Sequence, residues 1–151
     1  MSHSLIVKNT IRINAPTSRV WEVLTKPEET KKYMFGCEAL SDWKIGSPLI
    51  WKGVFDGKEL VAVTGKVVEI DPQNFLAYTT FDPNMGWEDV PENYTTVTYS
   101  LVPENGGTLF TVTQGDFANI IDGERRYKDV YNNGDGWNPI LVEIKKVAET
   151  N

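Results

Sequence analysis

The segment INAPTSRVWEVLTKPEETKKYM, from Ile13 to Met34, limits the folds open to this chain more than any other stretch. It follows an alternating run with Leu5, Val7, Ile11 and Ile13 on one face and Lys8, Thr10 and Arg12 on the other. This is the pattern of a half-buried strand, broken at Asn9. Pro16 suits the first position of a helix, where a missing N–H costs nothing, and Val20, Trp21 and Leu24 recur at helical spacing to about Thr25. Pro27 opens a second short helix with Glu28 and Glu29 in its first turn, expected to end near Tyr33, before Gly36. A hairpin protein would turn back at Asn14, and a nucleotide-binding α/β chain would carry a glycine-rich loop there.

Strands then follow in series. Residues 49–55 lead into Asp56-Gly57, a strong hairpin signal, and ELVAVTGKVVEI answers with Gly65 at its middle, where a bulge or sharp bend is expected. FLAYTTF follows the turn at Asp71-Pro72, and the long polar loop DPNMGWEDVPEN separates it from YTTVTYSLV, in which Val97, Tyr99 and Leu101 share a face. TLFTVTQGDF places Phe110 and Val112 on one face, with Gln114 in the same series. Trp137, Ile140, Leu141, Ile144, Val147 and Ala148 form a helical stripe that would cover the greasy side of such a sheet. NNGDGWNP should break any helix entering from Arg125. With no repeat or linker in sight, residues 1–151 read as one α+β domain.

Composition removes several functions. A net charge of −6, with no Lys/Arg run longer than two, argues against nucleic acid and against a membrane surface. The sole histidine is His3 and the sole cysteine Cys37, so Ser-His-Asp and Cys-His catalysis lack their parts, and neither a metal site nor a disulfide is expected. The close acids Glu88, Asp89 and Glu92 read as a solvated loop rather than as ligands. No phosphate-cradling glycine loop appears, so no cofactor is expected. The N-terminus lacks the basic and apolar regions of an export signal, which with the lone cysteine suggests a cytoplasmic setting.

The segments INAPTSRVWEVLTKPEETKKYM, DWKIGSPLIWKG, GKVVEIDPQNFLAYT, PENYTTVTYSLVPENGGTLFTVTQ and GWNPILVEIKKV, in this order, carry a family resemblance. The chain resembles the small proteins similar to the C-terminal domain of the activator of the heat-shock protein 90 ATPase. They sit within the superfamily of START lipid-transfer domains, birch-pollen-allergen-like proteins and polyketide cyclases. The resemblance implies a helix-grip fold: a curved antiparallel sheet of about seven strands wrapped around a long C-terminal helix, with two short helices after the first strand. It implies no shared catalytic constellation. The acidic loop before Pro91 and residues 117–133 are the least family-like parts.

On this frame the expected function is non-covalent binding of a small, largely hydrophobic molecule. Trp51, Phe55, Tyr78, Tyr99, Phe110, Gln114 and Trp137 are expected to line the pocket, with Gln114 and the tyrosine hydroxyls orienting the ligand. Met85 and Trp87 in the acidic loop, and Gly134 and Gly136 before the last helix, are candidates for a gate or an interaction surface. Two alternatives stand beside it. One is a co-chaperone-like interaction module whose partner is a chaperone, a heat-shock protein 90-type ATPase; on any of these readings a monomer or homodimer is expected. The other is a cofactor-free cyclase or hydratase using Tyr78, Tyr99, Gln114, Asp116 or Asp82 as acid or base.

Overall fold

A computed structural model describes residues 5–150; His3 lies outside them. Strand β1 (Val7–Ile13) is followed by α1 (Thr17–Thr25) and α2 (Pro27–Thr30), then by β2 (Glu38–Ser41), β3 (Pro48–Phe55), β4 (Lys58–Asp71) and β5 (Phe75–Thr80). Strands β6 (Thr95–Glu104) and β7 (Gly107–Gly115) complete the sheet, and α3 (Gly123–Tyr131) and α4 (Asn138–Glu149) close the chain. All seven strands pair antiparallel in the order β1-β7-β6-β5-β4-β3-β2. This is the α+β helix-grip architecture that the order of elements implies.

The opening segment folds as expected, with two local differences. Pro16 caps α1 from outside, so Thr17 is its first helical residue, and α2 stops at Thr30 before a series of turns to Gly36. The Thr30 hydroxyl explains the early stop. It donates to the carbonyls of Pro27 and Cys37 and accepts the Ala39 N–H, tying the helix end to β2.

Register decides which side chains share the concave face. Val7, Gln114, Val97, Tyr78 and Val67 stand opposite one another across five strands, and Asn9, Val112, Tyr99 and Leu76 form the next row. Helix α4 covers the β1 side of this face with Leu141, Ile144 and Ala148, all buried. Each fully buried leucine or isoleucine there contributes about 2 kcal/mol.

Both ends of α4 are pinned. At its C-terminus the Arg19 guanidinium donates to the carbonyls of Val147 (3.0 Å) and Thr150 (3.2 Å), while its other nitrogen lies 2.6 Å from the Glu29 carboxylate. Glu149 accepts the Asn14 N–H at 2.7 Å. At its N-terminus Asn9, the break in the apolar series of β1, accepts the Trp137 N–H at 2.9 Å and donates to the Asp135 carbonyl at 3.2 Å.

The bulge anticipated at Gly65 falls on its neighbours instead. Ala62 is the extra residue against β3 and Val68 the extra residue against β5, so two bulges flank the glycine. Gly65 itself is required by close approach, because a Cβ there would sit 1.6 Å from the Thr79 carbonyl oxygen.

Candidate ligand-binding site

Between the sheet and the C-terminal helices lies a cavity of about 560 Å³. Trp51 and Phe55 from β3, Ala62 and Val63 from β4, and Tyr78 from β5 form one wall. Val97 and Gln114 form the floor, while Trp137, Pro139 and Ile140 descend from the start of α4. Met34, Phe35 and Cys37, and Asp129, Val130 and Asn132 from the α3 end, complete the rim. Phe35, held at φ +54° in the turn after α2, is 76% exposed.

Polar groups in the floor form one chain. The Trp137 indole N–H donates to Gln114 Oε1 at 2.9 Å, Gln114 Nε2 donates to Thr95 Oγ1 at 3.2 Å, and that hydroxyl lies 2.9 Å from Thr80 Oγ1. Gln114 is therefore held by its neighbours, as a largely buried amide requires. It retains one N–H and one lone pair for a guest.

The expected pocket residues divide by depth. Trp51, Phe55, Tyr78, Gln114 and Trp137 line the cavity; Tyr99 and Phe110 do not. Those two rings lie in the packed core, where Tyr99 touches Tyr78, Phe110 and Trp137 with ring centroids 5.4 to 6.2 Å apart. The Tyr78 and Tyr99 hydroxyls are 2.6 Å apart and satisfy each other, so neither is presented to a ligand. The reason is geometric: Tyr99 is enclosed by the rings of Tyr78, Phe110 and Trp137, beside the β1 side of the sheet that α4 covers.

The candidate gate residues also separate. Gly136 lines the cavity, whereas Gly134, Met85 and Trp87 do not. Trp87 turns inward, with its ring 4.3 Å from the Arg126 guanidinium carbon and 6.4 Å from the Phe81 ring. The expected helix break is present, with Asn132, Asn133, Gly134 and Gly136 all at positive φ. Sequence reasoning passed over Asn9, Thr80, Thr95 and Asp129. Only Asn9 left a signal, as the polar interruption in an apolar face.

The groups proposed for acid–base chemistry are committed elsewhere. Asp116 accepts the N–H groups of Leu5 and Ala118, Asp82 accepts that of Asn84, and neither borders the cavity. Burial, followed by the nearby Tyr99, holds the Tyr78 hydroxyl well above its ordinary value, and burial raises the Cys37 thiol. Both stay protonated at neutral pH, which suits a wall rather than a base or nucleophile.

The family model described as Activator of Hsp90 ATPase homolog 1-like protein matches residues 14–149. The chain belongs to this family. A protein from Cytophaga hutchinsonii, known from its solution structure, is 36% identical, with 99% of this chain and 97% of that one covered at a TM-score of 0.75. A crystal structure of a Chromobacterium violaceum protein is 18% identical, covering 97% of this chain and 98% of its own, at a TM-score of 0.72. The solution structure of the Aha1 dimer from Colwellia psychrerythraea is also 18% identical, with 96% of both chains covered and a TM-score of 0.68. The last two share the fold. Comparison with curated proteins gives no match. No helix among the described residues of this family member is long and apolar enough to cross a membrane.

Proposed function

We propose that this family member binds a small, largely hydrophobic molecule, without covalent chemistry, in the cavity between the curved sheet and the C-terminal helices. The observation that carries this reading is the cavity itself. Its volume falls within the range of about 300 to 1,000 Å³ usual for small-molecule sites, and its walls are apolar and aromatic around one anchored amide. Trp51, Phe55, Tyr78 and Trp137 supply apolar contact, Gln114 supplies orientation, and Tyr99 and Phe110 back the wall from behind. Helix α3, which buries none of its side chains fully, serves as the cover. A reducing, cytoplasmic setting suits the buried Cys37 thiol.

Native mass spectrometry of the gently purified protein, followed by denaturing extraction, tests this. A reproducible co-purifying compound supports it. A clean apo mass, together with amide spectra that no hydrophobic additive perturbs at Gln114 or Trp137, sinks it.

Family membership favours a second reading, an interaction module acting on a heat-shock protein 90-type ATPase. The exposed Phe35 and Met85 would then be the contacts, because Trp87 is turned inward. The test is the ATPase rate of such a chaperone with and without this protein. No stimulation at saturating protein sinks this reading.

A further inference from the structure

Taking the cavity as the binding site, as proposed above, we infer that it selects neutral or cationic amphiphiles and rejects anionic ones of the same tail. Asp129 is the one charged side chain among the lining residues, and no lysine, arginine or histidine joins it. It is exposed on the α3 rim and makes no ion pair or hydrogen bond with another described residue. Lys128, beside Asp129 in sequence, is exposed and does not line the cavity. Arg125 pairs with Asp122, Arg126 stacks on Trp87 and donates to the carbonyls of Asn93 and Ile121, and Lys52 on β3 pairs with Glu59.

The floor is neutral as well as polar. Gln114 and Thr80 can meet a hydroxyl, a carbonyl or an amide, but they offer no counter-charge to a carboxylate or a phosphate. An anionic head drawn into these apolar walls would be desolvated without a partner, which is costly. Left at the rim, it would face the Asp129 carboxylate. A cationic head at the same rim gains an attraction that is moderate and screened by salt, since Asp129 stays in contact with water. A neutral head needs no charge partner in either place.

Decylamine, decanol and decanoate share a tail and differ in charge at neutral pH. Their ability to displace the neutral fluorophore N-phenylnaphthylamine from the full chain tests the inference. Decylamine and decanol should compete, with decanoate weaker by about tenfold or more. Asp129→Asn should bring decylamine down to the level of decanol, and added salt should do the same in the unaltered protein. Decanoate competing as well as decanol would overturn the charge selection while leaving the binding reading intact. Failure of the fluorophore and of all three probes to bind would overturn the binding reading, and the selection with it.

Discussion

Asn9 and Gly136 meet where the first strand touches the start of the last helix: a Cβ on Gly136 would stand 2.3 Å from Asn9 Oδ1 and 2.9 Å from a Val7 methyl carbon. Gly136 also holds φ at +52°. Gly136→Ala should therefore lower stability by about 2 kcal/mol or more, from left-handed backbone strain plus displacement of the Asn9 amide. Asn9→Ala alone should cost about 1 to 2 kcal/mol by leaving the Trp137 N–H without its acceptor. The double variant should cost less than the sum, because the clash with Asn9 disappears with its side chain and only the Val7 contact remains. Urea midpoints of the four proteins check this.

Gln114 joins the floor of the cavity to its cover. Gln114→Leu should leave the Trp137 indole N–H unpaired, lower stability by about 1 to 2 kcal/mol and shift tryptophan emission. Binding of decanol should weaken in parallel. Unchanged emission and affinity would mean that this hydrogen bond does not set the position of Trp137.

The corner between α1, α2 and the end of α4 rests on a buried carboxylate. Glu29 is 7% exposed, and the Lys32 hydrogen bond, aided by Arg19, holds its carboxyl below the ordinary value of 4.5. A group depressed in the folded state stabilises above its unfolded value and loses that contribution as pH falls through the folded one. Acid unfolding should therefore begin below about pH 4.5, and Glu29→Gln should flatten that limb of the stability curve. Arg19→Ala should cost about 2 kcal/mol, since it removes both the Glu29 partner and the cap on the Val147 and Thr150 carbonyls. Thermal melts across the acid range decide both points.

Alkali acts on the tyrosines. Tyr33, Tyr78 and Tyr99 are all raised above the ordinary value of 10.0, chiefly by burial. The folded state thus keeps protons that the unfolded chain has released. Their stabilising effect is intact below pH 10 and falls as pH rises beyond it, by about 1.4 kcal/mol per pH unit for each tyrosine. In tyrosine absorbance, these three should ionise together with unfolding.

Helix α3 should exchange its amide protons faster than α4. It fully buries no side chain, whereas α4 buries Leu141, Ile144 and Ala148. Addition of a cavity ligand should slow α3 selectively through contact with Asp129 and Val130. Equal protection of the two helices without ligand would contradict its role as the cover.

The fold was legible in the sequence because its signals are periodic and local. Val97, Tyr99 and Leu101 alternate with threonines and serine, and two prolines mark the short helices. The face that each ring occupies could be read in the same way. Which rings border empty space could not, since this depends on where α4 rests on the sheet. Tyr99 and Phe110 share a face with Tyr78, yet of the three only Tyr78 borders the cavity. Trp87 shows the other limit. Its partner Arg126 is remote in sequence, and nothing in the acidic loop announces the contact. Strand β2 went undefined because four residues are too few to display a period.

Strand β4 gives the grip a knuckle. Residues 58–66 pair with β3 and residues 67–71 with β5, and near the junction Thr64 also bridges to Phe81, just past β5, while the Lys66 N–H donates to the Thr79 hydroxyl. Trp51, Phe55, Ala62 and Val63 belong to one side of that joint, and Tyr78, Val97 and Gln114 to the other. Gly65 lies opposite Leu49 in the β3 ladder, and its missing Cβ lets the Thr79 carbonyl approach from the other side, so the two walls are held together at this joint. Under the binding reading proposed above, the width open to a guest is set at this one joint rather than by the packing within either wall.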